Sequence, residues 1–126
     1  MAKRRPNRDK KREQRIEIEV VVDAYDAGER AMGWYYYLED KLQFPFTTLC
    51  IAHRSISPLR VDDEVEVIGM PGEDDCRREM FVSIRWDRKG GLAVPLSQLK
   101  PIGDTDEQTR QAIGDWHYWV AMGYEF

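Results

Sequence analysis

From Lys11 the chain reads KREQRIEIEVVVDAY, and two hydrophobic patterns compete within it. Ile16, Val20 and Ala24 recur every four residues, like one face of a helix. Ile16, Ile18, Val20 and Val22 also alternate, like a half-buried strand. The lead-in is rich in helix formers, so helix is the reading taken. A second helix starts more clearly. Asp26 and Glu29 stand three apart, the spacing of a capping box with Asp in place of Ser or Thr. The stripe Met32, Trp34, Tyr37, Leu38 and Leu42 then marks one broad apolar face. Phe44-Pro45-Phe46 stops it, because proline disfavours helix at the residue before it.

The middle of the chain changes period. Thr47–Ala52, Asp63–Ile68, Met80–Trp86 and Leu92–Leu96 read as strands, the second alternating charged and apolar residues over Glu64–Val67. Ser57-Pro58 marks a turn, Gly69–Asp75 an acidic loop, and Asp87–Gly91 a hairpin turn with two glycines. Pro95 suggests that the last strand is an edge or an end. A third helix follows, with Thr105 and Gln108 as capping box, Ile113, Trp116 and Val120 as apolar stripe, and Gly123 as the stop. These elements predict an α+β fold: a small SH3-like β-barrel flanked by N-terminal helices and a C-terminal helix. Trp34, Tyr37, Trp116 and Trp119 are expected to fill the core between helices and barrel.

Composition adds limits. With 126 residues, 42% hydrophobic and 33% charged, the chain suits a single domain able to bury a real core. No apolar run approaches the roughly 20 residues of a membrane span, and the basic N-terminus has no apolar stretch behind it. Cys50 and Cys76 are far apart and sit in no CxxC or Cys/His pattern, which predicts two buried thiols and a cytoplasmic setting.

Charge is divided unevenly. Residues 1–15 hold eight Lys or Arg against two acids, a net of +6; residues 16–126 hold eleven against twenty-one, a net of −10. This predicts a basic disordered arm over 1–10 and a single acidic domain over 11–126. An acidic surface repels nucleic acid and attracts cations.

Catalytic signatures are not evident. His53 and His117 lack a visible orienting partner, and His117 lies in an aromatic helix where a structural role is expected. No GxSxG elbow, phosphate loop or GxGxxG is present. Close Cys/His pairs for zinc are also missing. The chain therefore reads as a binding protein and not an enzyme. Carboxylates are its surplus, in three clusters: Glu39-Asp40 at the end of the second helix, Asp62-Asp63-Glu64 before a strand, and Glu73-Asp74-Asp75 in the acidic loop. Ca²⁺ takes about 6–8 oxygen ligands, which clustered acids supply. Free carbonyls and the negative end of the helix dipole would add to the first cluster. No EF-hand loop occurs.

The stretches VVDAYD (21–26), AMGWYYYLEDKLQFPF (31–46), DEVEVIGM (63–70), MFVSIRW (80–86), LAVPLSQL (92–99) and DWHYWVAMGYEF (115–126) resemble, in this order, the cyanobacterial calcium-binding protein family, CcbP-like. The resemblance implies a non-EF-hand Ca²⁺ binder acting in calcium signalling or homeostasis. It implies Asp40, the Asp of YLED, as principal ligand. Glu39 is its nearest helper, and Glu73, Asp74 and Asp75 are candidates for a second site, where Arg77 and Arg78 are placed to pair with the acids. The expected partners are the calcium ion and a protein, with no membrane. A rival reading is a nucleic-acid or ribosome-associated SH3-like module using the basic arm, and a third is a metal-free adaptor.

Overall fold

A computed structural model describes residues 5–87 and 90–126. Helix α1, Lys10–Arg15, is capped by Asp9, whose carboxylate accepts from the Arg12 amide at 3.0 Å. It widens into a π-helical turn, Ile16–Val20, closed by the Val21 amide on the Ile16 carbonyl at 3.0 Å. Ile16 and Val20 are buried, whereas Ile18 and Val22 are more than half exposed. The four-residue spacing, not the alternation, marks the inward face. The helical run ends before Ala24, earlier than its pattern predicts.

Helix α2, Ala27–Lys41, begins as expected, with the Asp26 carboxylate accepting from the Glu29 amide at 2.8 Å. Trp34, Tyr35, Tyr37, Leu38 and Leu42 are buried; Tyr35 lies beside the predicted stripe. Trp34 is the centre of the core. Its ring meets Trp116, Trp119 and Tyr37 edge-on, with centroids 5.0, 5.5 and 5.9 Å away. The indole N–H groups of Trp34 and Trp116 are buried among these rings with no hydrogen-bond partner; aromatic faces are weak acceptors for such groups.

Strands β1 (Phe46–Cys50), β2 (Glu64–Gly69), β3 (Phe81–Asp87), β4 (Gly90–Pro95) and β5 (Leu99–Pro101) form one antiparallel sheet in the order β4-β3-β2-β1-β5. Val67, Val82, Ile84, Val94 and Leu99 point into the core. The expected SH3-like barrel does not close: among the described residues no pairing joins edge strand β4 to edge strand β5. The physical reason lies in β5. It has three residues, one of them Pro101 without an N–H, and pairs only with β1 through Thr48↔Pro101, Leu49↔Lys100 and Cys50↔Leu99. The sequence pattern missed β5 because three residues are too few to show a period. β4 is an edge with Pro95 at its end, as predicted. Residues 88–89 of the hairpin turn lie outside the described residues. Cys50 and Cys76 are both buried and free.

Helix α3, Glu107–Ala121, is capped by Asp106 and not by Thr105. The Asp106 carboxylate accepts from the Thr109 amide at 3.0 Å, while the Thr105 hydroxyl turns back to the Ile102 carbonyl at 2.7 Å. Gly123, at φ +76°, ends the helix. The Gly123 amide bonds to Val120 and the Tyr124 amide to Trp119, a paired closure that needs the left-handed backbone glycine allows.

The N-terminal segment is bound to α3 by charge. Asp115 is fully buried and accepts from Arg15 Nε (2.9 Å), Arg15 Nη2 (2.6 Å) and the Tyr37 hydroxyl (2.7 Å). Arg12 Nε lies 2.8 Å from Oδ1, an ion pair without the alignment of a hydrogen bond. One turn away, Glu13 Oε2 accepts from the Tyr118 and Tyr124 hydroxyls, each at 2.7 Å. The hydrogen bond from Tyr124 leads in holding the Glu13 carboxyl below its ordinary value.

His117, elsewhere on α3, faces β5, with Nε2 2.7 Å from the Leu99 carbonyl. Burial lowers its pKa from the ordinary 6.5, and the bond to Leu99 partly opposes that. The unfolded chain takes up a proton below about 6.5 while the native ring resists it. The native state is therefore least penalised above pH 6.5 and loses stability as pH falls through the lowered native pKa. The melting temperature should drop by a few degrees between about pH 7 and 5.5. His117→Gln, which keeps a donor without titrating, should flatten that slope; equal slopes in the two proteins would contradict the assignment.

Candidate metal centre

Three successive tyrosines on α2 donate their hydroxyls to three different parts of the chain. Tyr35 donates to the Pro71 carbonyl at 2.6 Å, Tyr36 to Glu73 Oε1 at 2.8 Å, and Tyr37 to Asp115 at 2.7 Å. Helical geometry separates neighbours by about 100°, so the run fans around the helix. The first two draw the acidic segment onto α2. That segment is a 3₁₀ turn, Glu73–Cys76, held below by buried Cys76, whose Sγ accepts from the Phe81 amide at 3.4 Å. Burial pushes the Cys76 thiol up, keeping it protonated.

Tyr36 and Asp40 are four residues apart on α2, as are Tyr35 and Glu39. Such pairs are stacked one turn apart on a helix surface, with about 5–6 Å between Cβ atoms. The Glu73 carboxylate that Tyr36 holds lies instead beside the N-terminal half of α2, where Glu73 lines one cavity with Gly28, Ala31 and Met32. Glu39 acts on both tyrosines electrostatically. Tyr35 is raised above its ordinary value by burial first, then by the charges of Glu39 and Glu73. Tyr36 is raised chiefly by its bond to Glu73, with Glu39 adding to it. Glu39 and Glu73 both act on the Tyr35 and Tyr36 hydroxyls, whereas Asp40 stands apart at the end of α2, beside Lys41.

The remaining expected ligands are turned elsewhere. Asp74 pairs with Arg77 at 2.8 Å, both exposed. The Asp75 amide bonds to the Gly72 carbonyl at 3.0 Å and its side chain is exposed. Asp40 is itself 76% exposed and 3.7 Å from Lys41 Nζ. The end of α2 is also less open than expected. Gln108 Nε2 donates to the Lys41 carbonyl at 3.3 Å, and the Thr109 hydroxyl accepts from the Gln43 amide at 2.9 Å. Asp62-Asp63-Glu64 serves the backbone instead: Asp63 Oδ2 accepts from the Arg60 amide at 2.8 Å, in a turn where Asp62 has φ +76°.

The donors at the end of α2 are oxygen-only and anionic, which suits a hard cation such as Ca²⁺ or Mg²⁺ and not zinc. Among the described residues no three Asp, Glu, His or Cys side chains are grouped so as to hold a metal ion. The residues therefore fit the ion by chemistry and need local adjustment to enclose it. Sequence reasoning missed Tyr35 and Tyr36. The available signal was a YYY run in which Tyr36 falls off the apolar stripe and is 53% exposed.

Part of the described basic segment is engaged within the fold. Arg12 and Arg15 face buried Asp115, and Arg8 lies 3.5 Å from Glu13. Among the described residues no helix is long and apolar enough to cross a membrane.

A family model described as calcium binding, CcbP, matches residues 14–120. The fold is similar to the crystal structure of Anabaena CcbP, 43% identical over the full length of both chains, with a TM-score of 0.83. It is also similar to a calcium-binding protein solved in its calcium-binding form, 44% identical over 94% of this chain and 96% of that one, with a TM-score of 0.80. A search of curated proteins gave no match.

Proposed function

The chain belongs to the CcbP family of calcium-binding proteins, and on that premise we propose that it is a cytoplasmic, non-enzymatic Ca²⁺ buffer or sensor whose principal site is the end of α2. Asp40 is the central ligand and Glu39 its neighbour. Glu73, Asp74 and Asp75, on the 3₁₀ turn, form a candidate second site, with Asp74 released from Arg77. What supports this reading is the calcium-binding family match over residues 14–120, together with 44% identity to a protein solved in its calcium-binding form.

Like charges crowded at low separation repel, and a divalent ion relieves that repulsion. Asp74 must leave Arg77, and Asp40 must turn from Lys41, for the shell to fill. Binding is thereby coupled to a local change in surface charge, which favours sensing over passive buffering.

Calorimetric titration with Ca²⁺ and with Mg²⁺ tests the proposal. Heat from Ca²⁺ is expected in the micromolar-to-millimolar range typical of sensors and weaker modules. Asp40→Asn should weaken the tighter site by roughly tenfold or more, the cost of one charged ligand at about 1.4 kcal/mol or above. Asp62→Ala should change it little. Absence of any Ca²⁺ heat in the wild-type protein would end this reading.

A further inference from the structure

We propose that the cleft between the C-terminal half of α3 and the Arg77-Arg78 pair binds a small anionic ligand with a flat apolar body, of the aromatic carboxylate class. The cleft encloses about 490 Å³, within the range of small-molecule sites. None of the candidate calcium ligands is among its lining residues, so this site is separate from the calcium reading. Its walls are aromatic. Trp116 and Trp119, three residues apart on α3, each meet a ring of the C-terminal segment. Phe126 lies against Trp116 with centroids 6.0 Å apart and planes tilted by 37°; Tyr124 meets Trp119 edge-on at 5.3 Å. Val120 lies in the same wall and is 42% exposed. A planar apolar body packs well against rings held in this way.

Cations stand at the edge of this cleft. Arg78 lines it, is exposed, and makes no ion pair or hydrogen bond among the described residues. Its neighbours in the lining are already paired: Arg77 with Asp74 at 2.8 Å, and Glu79 with Arg54 through bonds of 2.6 and 3.1 Å. A second guanidinium arrives from the basic N-terminal segment. Arg5 Nη2 lies 3.3 Å from the position a Cβ would take on Gly123, which also lines the cleft. Against these two arginines the lining offers one further carboxylate side chain, that of exposed Glu125. A guanidinium fork matches a carboxylate through two parallel hydrogen bonds. The arm's Arg5 and the aromatic C-terminal run thereby serve one ligand, the arginines taking its charge and the rings its body.

The experiment titrates the calcium-free protein with anilinonaphthalene sulfonate, an aromatic anion that fluoresces in apolar surroundings and whose sulfonate stands in for the carboxylate. Phenylnaphthylamine, the same rings without the charge, is titrated beside it. The sulfonate should bind saturably, one per chain, and more tightly than the neutral dye. Arg5→Ala combined with Arg78→Ala should weaken the sulfonate about tenfold or more, the weight of a hydrogen bond to a charged group, and leave the neutral dye nearly unchanged. Val120→Glu, which sets a carboxylate against the rings, should weaken both dyes. Arg85→Ala, on β3 and outside the cleft, should change neither. Each variant should melt within about 2 °C of wild type, because the substituted side chains are exposed. No saturable sulfonate binding, or binding of equal strength in the double arginine variant, overturns the inference. A loss in Arg85→Ala as large as in the double variant overturns it too, because it marks general attraction to surface charge. Val120→Glu leaving both dyes unchanged places them elsewhere and has the same consequence. The calcium reading is untouched by any of these results, since no step contains the ion.

Discussion

Asp115→Asn is expected to destabilise the protein by about 3 kcal/mol and to release the N-terminal segment from α3. The side chain is fully buried, so its charge has no water to fall back on. It is stabilised instead by Arg15 through two bonds of 2.6 and 2.9 Å, by Arg12 at 2.8 Å, and by the Tyr37 hydroxyl at 2.7 Å. Its hydrogen bonds to Arg15 and Tyr37 raise the pKa of both, though for Tyr37 burial is the larger cause. Asparagine keeps the shape but loses the charge, and its amide N–H groups face cations and a phenol. Breaking one partner of a buried pair commonly costs 3–5 kcal/mol. The arginine side chains are 30% and 21% exposed and can turn partly to water, which places the effect at the low end of that range. For a domain of this size the melting temperature should fall by roughly 10 °C. Trypsin should cleave after Arg12 and Arg15 markedly faster than in the wild type. A melting point within about 3 °C of wild type would mean that Asp115 is not what holds the segment.

The second large effect is expected at Gly33. In an exposed helix interior, replacing glycine with alanine stabilises by about 1 kcal/mol. Here the sign should reverse. A Cβ at Gly33 would sit far inside van der Waals contact distance of the Val20 carbonyl oxygen, with the Val20 carbonyl carbon 3.3 Å away. Both are backbone atoms of the π-helical turn, and no rotamer relieves the overlap. Accommodation requires the turn to move, and Ile16 and Val20 leave the core with it. Overpacking of this kind costs about 1–3 kcal/mol, and a backbone neighbour places it near the top. Gly28→Ala, in the first turn of the same helix, meets only Asp26 Oδ1 at 3.5 Å, an ordinary contact, and should be neutral or stabilising. Urea unfolding of the two variants separates the predictions. A Gly33→Ala protein as stable as Gly28→Ala would refute the close approach.

The two effects concern one feature that sequence reading treated poorly. The residue run KREQRIEIEVVVDAY was legible as a helix with Ile16 and Val20 inward, because that depends only on residues three and four apart. Its arginines read as part of a basic arm available to phosphates. In the fold, Arg12 and Arg15 instead turn toward a carboxylate 100 or more residues later in the chain. The third helix repeats the lesson at smaller scale. Thr105 and Asp106 are adjacent and both are good caps, and the choice fell to Asp106 because the Thr105 hydroxyl is taken by Ile102.

The candidate metal site divides the same way. Asp40 and Glu39 stood out from sequence because acids at a helix end are locally unfavourable without a counter-ion. Glu73 stood out as one of three acids, with nothing to rank it above Asp74 or Asp75. The ranking came from Tyr36, 37 residues away, whose hydroxyl selects Glu73 while Arg77 draws Asp74 outward.

By itself the sequence determined which residues turn inward, where α2 is capped, that the middle of the chain is β structure, and that carboxylates are in surplus. Those properties are set by periods of two and 3.6 residues and by hydrogen bonds spanning a few positions. The tertiary structure alone decided that the sheet stays open, which charges pair, and which acid Tyr36 holds. These depend on where distant segments return to one another, and a local pattern carries no information about that distance.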